Sequence, residues 1–407
     1  MTDIPTTNVA PDIRVLNIVV ATPDDREGAV RAGLQLGDHL SEFVAVDTVK
    51  MRGKHDYELA TELDLDHSFH LLPSHLFLRN VTKLIAGSPK NYSNTLIWTR
   101  LQSPQPLKKY DIAHIHNAVP LAGMVAVAVE CKLSGIPYCV TTHGISKIPK
   151  LTETMEMPWY ARAAFRLGFF VPYKAVLENA THLFALSEVN AETLRNRFPQ
   201  QSVSIVPNGV PLNPPKQGID KRVKEELGIS SSTPILLFVG KIISGKGIDD
   251  LLAAHRRLDE EYELVIVGDP MDERLVERVS LADVHYLGYV EKPFLRSIYQ
   301  RSDIFIFPTR SDVFPLVTLE AMASATPVIS TKVGGIPNQA TKEMSKLVEP
   351  GDIKSLTEAI CELLNDHELR NEMSRAALER ARSEYTWRGV AEKTIKTYRE
   401  ILTTQNK

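Results

Sequence analysis

The chain reads as an α/β protein of two doubly wound domains, and three observations predict it. Short, continuously apolar, β-branched runs alternate with helical stretches along most of the sequence. One stretch dense in proline and glycine divides the chain near its middle. The length, 407 residues, suits two domains of about 200 residues.

In the first half the predicted strands are Val15–Ala21, Phe43–Val49, Ile112–Ile115, Tyr138–Thr142, His182–Leu186 and Ser204–Val206. In the second they are Ile235–Val239, Glu263–Val267, Val284–Leu287, Ile304–Phe307 and Pro327–Ser330. Runs of this kind without polar alternation suit strands buried on both faces. The stretches between them, such as Glu188–Phe198 and Phe294–Ser302, carry helical periodicity, which implies parallel sheets covered by helices. The break follows Val206-Pro207-Asn208-Gly209, with Pro211, Pro214, Pro215 and Gly218 close behind, a composition that punctuates rather than builds structure. Leu356–Leu364, Glu368–Glu384 and a final stretch at about Val390–Thr403 read as helices. The expected domains are a disordered lead-in at 1–12, a first domain at 13–208, a second at 209–385, and a last helix, 386–407, packing back on the first. Paired domains of this class bind ligands in a cleft at the carboxyl ends of their strands.

Composition excludes several functions. A formal net charge of −3 argues against coating nucleic acid, which needs a basic surface. The three cysteines, Cys131, Cys139 and Cys361, form no CxxC pair and no disulfide framework. No apolar run approaches the ~20 residues of a membrane span, and MTDIPTTNVAPDIR lacks the basic and apolar regions of a secretory signal. The expected address is the cytoplasm. Asp64 and Asp66 in LDLD resemble a metal-holding DxD, but a long loop follows them, no cluster has zinc spacing, and no metal is expected.

Chemistry concentrates in two stretches. In DIFIFPTRSDVFPLVTLEAMASATPVISTKVGGIP, Pro315 suits a first helical turn. The helix after it presents the N–H groups of Leu316, Val317 and Thr318, a ready site for an anion such as a diphosphate. Asp312 and Glu320 flank this turn and suit hydrogen bonds from sugar hydroxyls. In LLFVGKIISGKGIDDLL, Lys241 and Lys246 follow a buried strand and can neutralise a pyrophosphate. His116 and His143 close two strands of the first half.

In order along the chain, DIAHIHNAVP, GIPYCVTTHG, FALSE, IVPNGV, Lys241 and Lys246-Gly247, LGY at Leu287–Tyr289, RSDIFIFP, FPLVTLEAMA and VGGIP resemble the retaining GT-B glycosyltransferases of family 4. The resemblance covers about residues 105–390. It implies two facing Rossmann-like domains and transfer of a sugar from a nucleoside-diphosphate sugar to a hydroxyl acceptor. It further implies that configuration is kept by a same-face route, without a cofactor. On the resemblance, His116 reaches toward the donor sugar, Val290 meets the base through its backbone, and Phe314, Pro315, Leu316, Val317, Thr318 and Glu320 line the donor. Lys241, Lys246 and Asp312 complete the donor site, and Gly28 and His143 are acceptor-side candidates. Three departures stand out: Asp312 replaces the family's Glu, Lys241 its Arg, and Ala325 a Gly whose replacement costs about 1 kcal/mol if φ is positive there. The acceptor is a glycan, a lipid-linked glycan or a small molecule. PWYARAAFRLGFFVPYKAV at Pro158–Val176 mixes aromatic and basic residues, as would a helix lying on the inner face of an anionic membrane or one packed beside the acceptor. A nucleotide-sugar epimerase of the same shape and a non-catalytic sugar-nucleotide-binding protein are the alternative readings.

Overall fold

The computed structural model describes residues 13–22, 28–63, 65, 69–76, 97–116, 121–143, 167, 171–214, 223, 225–229 and 233–405. The chain divides into two compact units, 1–185 with 191–206 and 391–407, and 186–190 with 207–390. Asp64, Asp66, the lead-in at 1–12 and most of Pro158–Val176 lie outside the described residues.

The first unit is built on strands β1 (Arg14–Val19), β2 (Ala45–Met51), β3 (His70–Leu72), β6 (Ile112–His116), β7 (Tyr138–Thr141), β8 (His182–Ala185) and β9 (Val203–Ile205), and a small antiparallel pair, β4 (His75–Leu76) with β5 (Ile97–Trp98), stands apart. The seven strands form one sheet in the order β3-β2-β1-β6-β7-β8-β9, and every pairing in it is parallel. Parallel strands need covered faces, and Val15, Leu16, Ile18, Val19, Ala113, Ile115 and Val140 are buried. Helix Gly28–Leu40 packs on β1, where buried Asn17 donates from Nδ2 to the Gly33 carbonyl at 3.0 Å. Lys50 is fully buried at the end of β2, paired with Asp56 and donating to the Met51 carbonyl at 3.1 Å. A buried lysine needs such partners to remain charged.

The second unit carries β10 (Ile235–Val239), β11 (Glu263–Val267), β12 (His285–Tyr286), β13 (Ile304–Phe307), β14 (Val328–Thr331) and β15 (Ser345–Val348), all parallel, in the order β12-β11-β10-β13-β14-β15. Numbered within the sheet this is 3-2-1-4-5-6, the Rossmann order, whose switch point lies between the first and fourth strands. β3 and β15 extend the sheets beyond the strands read from sequence. Leu186–Asn190 groups with the second unit, not the first as the single expected break would have it. The reason is packing: Leu186 joins the second core, and Ser187 stands 2.8 Å from where a Gly335 Cβ would be. The final helix, Trp387–Gln405, begins earlier than read, and its residues from 391 on group with the first unit.

Helix Leu316–Ala323 ends in a Schellman arrangement. Ala325 N–H donates to the Met322 carbonyl and Thr326 N–H to the Ala321 carbonyl, each at 3.0 Å, and Ala325 takes φ 58°, the one described non-glycine residue with positive φ. An alanine there crowds its Cβ against its own backbone, at about 1 kcal/mol. Ala325→Gly should therefore stabilise the second unit by about 0.5–1 kcal/mol, after the added flexibility of the unfolded chain. Urea unfolding that shows no gain, or a loss, would refute this.

Candidate active site

The switch point of the second sheet gathers the loops that follow β10 and β13. After β10, Lys241 is half-buried and Lys246 closes a 3₁₀ turn, Ser244–Lys246. After β13, residues 308–315 lead to helix Leu316–Ala323. The loops touch because glycine permits it. Gly247 has φ 76°, and a Cβ on it would lie 1.9 Å from the Pro308 carbonyl oxygen. Gly334, at φ 53°, would place one 1.9 Å from the carbonyl oxygen of Asp312.

Contact brings Lys246 and Asp312 into one ion pair. Nζ lies 2.9 and 2.8 Å from the two carboxylate oxygens, and Thr309 Oγ1 donates to the second at 2.7 Å. The ammonium also sits 5.4 Å from the centroid of the Phe307 ring. Sequence assigned Lys246 to phosphate and Asp312 to sugar; in the structure they hold each other. One ammonium proton remains for a third acceptor.

Helix Leu316–Ala323 starts beside this pair with Pro315 as its N-cap and no capping side chain. The Leu316, Val317 and Thr318 N–H groups have no intrahelical acceptor, so the helix start can receive an anion. Thr318 is buried, and its Oγ1 has no partner among the described residues. Neighbours fix the turn: Asn208 Nδ2 donates to the Phe314 carbonyl at 3.3 Å and Gln339 Nε2 to the Pro315 carbonyl at 2.9 Å. Phe314 packs edge-on against Tyr385.

Glu320, one turn on, lies apart from Lys246 in its bonding. Lys292 Nζ meets one carboxylate oxygen at 2.6 Å and the Tyr299 hydroxyl donates to the other at 3.1 Å. Burial and the Glu320 charge hold the Tyr299 phenol well above its ordinary 10, so it stays a donor. A carboxylate has about four acceptor positions, and its charge suits it to accept from sugar hydroxyls. Lys292 and Tyr299 were not anticipated; the sole hint is that Lys292 opens the helix after LGYVE. Val290 lies half-buried on the second core between Gly288 and that helix.

In the first unit His116 ends β6, opposite Val19 in β1, at that sheet's own switch point. It is 1% exposed, and neither ring nitrogen has a hydrogen-bond partner among the described residues. Its ring lies 4.1 Å from that of His114, tilted by 34°, and 5.9 Å from that of His143. His114 is a core residue, bonded to the Tyr398 hydroxyl at 2.6 Å and Thr141 Oγ1 at 2.7 Å. Desolvation lowers all three, His114 to about 3, His143 to about 4, and His116 well below 6.5. They are neutral near pH 7. His143 keeps some surface, but its Nε2 is buried and unpartnered among the described residues. Gly28 is exposed as the first residue of its helix. Among the described residues no group of three or more His, Cys, Asp or Glu could hold a metal, and no helix is long and apolar enough to cross a membrane.

A Rossmann-ordered sheet with ammonium groups and an uncapped helix start at its switch point defines an α/β protein with a site suited to an anion at the carboxyl ends of its strands. Comparison with known proteins narrows the class. The family model described as glycosyl transferases group 1 matches residues 220–380, and that of glycosyltransferase family 4 matches 44–213. The chain belongs to the GT-B glycosyltransferases of family 4. It is 28% identical over 340 residues to the alpha-maltose-1-phosphate synthase of Mycolicibacterium smegmatis, covering 76% of this chain and 84% of that one. It is 27% identical over 319 residues to the D-inositol 3-phosphate glycosyltransferase of Paenarthrobacter aurescens, covering 74% of this chain and 76% of that one. The solved structure of Anabaena HepE in complex with UDP-glucose has the same fold, with TM-score 0.72 at 14% identity over 95% of this chain and 100% of that one.

Proposed function

We propose that this glycosyltransferase moves a hexosyl group from a nucleoside-diphosphate sugar to a hydroxyl acceptor, keeping the anomeric configuration and using no metal. The observation that carries the reading is the Lys246–Asp312 pair at the second unit's switch point, with Asp312 three residues before Pro315, the N-cap of the Leu316–Ala323 helix, which has no capping side chain. As the glycosidic bond breaks, negative charge grows on the departing diphosphate. Lys241, Lys246 and the Leu316–Thr318 N–H groups are the fixed positive charge that would stabilise it. The leaving phosphate would take the acceptor proton on the same face of the sugar, so no protein nucleophile is needed, unlike a double-displacement glycosidase. Asp312 would contact the donor sugar, Glu320 the ribose, and the Val290 backbone the base. His116, neutral and with neither ring nitrogen partnered among the described residues, suits hydrogen bonding to a sugar hydroxyl.

The acceptor belongs to the first unit, with Gly28 and His143 as candidates. Maltose 1-phosphate and D-inositol 3-phosphate figure in the names of relatives, so small phosphorylated hydroxyl compounds come first in an acceptor panel and lipid-linked glycans second. Thermal unfolding with UDP, GDP, ADP or dTDP tests the donor. One of them at a hundredfold excess over its Kd should add about 2.7 kcal/mol, seen as a rise of several degrees in Tm that EDTA leaves unchanged. No rise with any of the four would refute the donor reading. NMR of the product's anomeric proton would settle retention.

A further inference from the structure

Sixty residues apart in sequence, Arg310 and Asp250 form a two-point ion pair: Nε to Oδ2 at 3.0 Å and Nη2 to Oδ1 at 2.6 Å. Asp250 is 4% exposed and lies in the first turn of helix Ile248–His255, directly after Lys246-Gly247. Arg310 lies two residues before Asp312. Between these anchors the loops are joined by backbone: Arg310 N–H donates to the Gly245 carbonyl at 3.0 Å, and Thr309 Oγ1 lies 3.2 Å from the same oxygen and 2.7 Å from Asp312 Oδ2. Thr331 Oγ1 holds the Thr309 carbonyl from β14. One loop carries Lys246, the other Asp312, and the guanidinium–carboxylate fork lies at the far end of the seam that joins them.

We infer that Arg310 and Asp250 are positioning residues that set the Lys246–Asp312 pair for the donor diphosphate without touching it. The inference rests on the donor reading above and adds to it residues that neither motif spacing nor composition marked. The geometry explains the residue types. A planar guanidinium fixes direction and distance to a carboxylate, whereas a lysine would give a single flexible point charge. Asp250 is nearly buried, so loss of Arg310 leaves a carboxylate that must find water, and the loop above it has to move. The shift would reach Lys246 through Gly245 and Thr309.

Two readouts on the full chain test this, with Arg310→Lys, Arg310→Met, Asp250→Asn and the Arg310→Met/Asp250→Asn double variant. The first needs no nucleotide: modification of Lys246 by an amine-reactive acetylating reagent, followed by peptide mass spectrometry. Freed from Asp312, Lys246 should react about threefold faster or more in R310M and D250N, with R310K between them and wild type. The second is affinity for the nucleoside diphosphate that wild type binds, which should fall about five- to tenfold in R310M and D250N. Donor KM should rise in parallel and kcat change less than threefold. The double variant should match the worse single one, since the two residues act as one unit. Unchanged Lys246 labelling overturns the inference, even if Tm falls, because a purely structural pair would lower Tm alone. Faster labelling with unchanged nucleotide affinity and KM also overturns it. A wild type that binds no nucleoside diphosphate, with labelling still responding to R310M, supports the loop coupling and refutes the donor reading instead.

Discussion

Lys246→Met should lower kcat/KM for the donor by about 100- to 1,000-fold, the scale on which removing one preorganised donor to a developing anion acts. Methionine keeps an unbranched chain against the Phe307 ring, 5.4 Å from the present ammonium, so packing changes little while the charge is lost. Asp312 would retain Thr309 as its donor at 2.7 Å. The greater part of the loss should fall on kcat, because the diphosphate is more anionic in the transition state than in the bound donor. Lys246→Arg keeps the charge but exchanges a compact ammonium for a broad fork, and should recover only part of the rate. Steady-state rates of donor consumption at saturating acceptor measure both. Lys246→Met turning over within a few-fold of wild type would remove the ammonium from the mechanism.

How much of this site could be read in advance depends on the range of the forces involved. Ile235–Val239, Glu263–Val267 and Ile304–Phe307 match the observed strands residue for residue. Central parallel strands are buried on both faces and so write continuous apolar runs into the sequence. Ser345–Val348 was missed because an edge strand with two half-buried middle residues, Lys346 and Leu347, need not be apolar throughout. His70–Leu72 is the edge strand of the other sheet and has two exposed residues. Helix Leu316–Ala323 was legible from Pro315, a local signal, and the strain at Ala325 from its place after a helix end. Pairing was not legible. Lys246 with Asp312, Lys292 and Tyr299 with Glu320, and Asp250 with Arg310 are separated by 66, 28, 21 and 60 positions, and only the closure of the sheet brings them together. Asp312 shows the consequence. Its residue type suggested a hydrogen-bond acceptor for sugar, and its fold position gave it a lysine as well.

Lowering the pH from 7 to 5 should weaken the first unit by about 4 kcal/mol through His114 and His143 alone. Both have folded pKa values depressed from 6.5, to about 3 and about 4. Above 6.5 each is neutral in the folded and unfolded chain and pH has no effect. Below it the unfolded chain takes up a proton that the folded chain refuses, so stability falls with pH until the folded value is reached. Each unit of pH within that window costs about 1.4 kcal/mol per histidine. The cause is desolvation: the His114 nitrogens are already committed to Tyr398 and Thr141, and the His116 ring packs against it with centroids 4.1 Å apart. A charge on one ring would face its neighbour in a dry interior. His116 is lowered in the same direction by burial, then by His114 and His143, and His182 by burial against an opposing effect of Glu400, so both add to the loss. In the second unit burial also lowers His255, a smaller contribution from outside the cluster. The interval from pH 7 to 5 isolates histidine, since ordinary carboxylates titrate below it. Urea unfolding at half-unit steps, followed by the fluorescence of the chain's three tryptophans, measures the slope. His116→Leu should flatten that slope by one histidine's share without orphaning a partner, because both ring nitrogens lack one among the described residues. A stability constant or rising between pH 7 and 5 would mean that the cluster takes up protons in the fold, and the neutral hydrogen-bonding role given to His116 would fall with it.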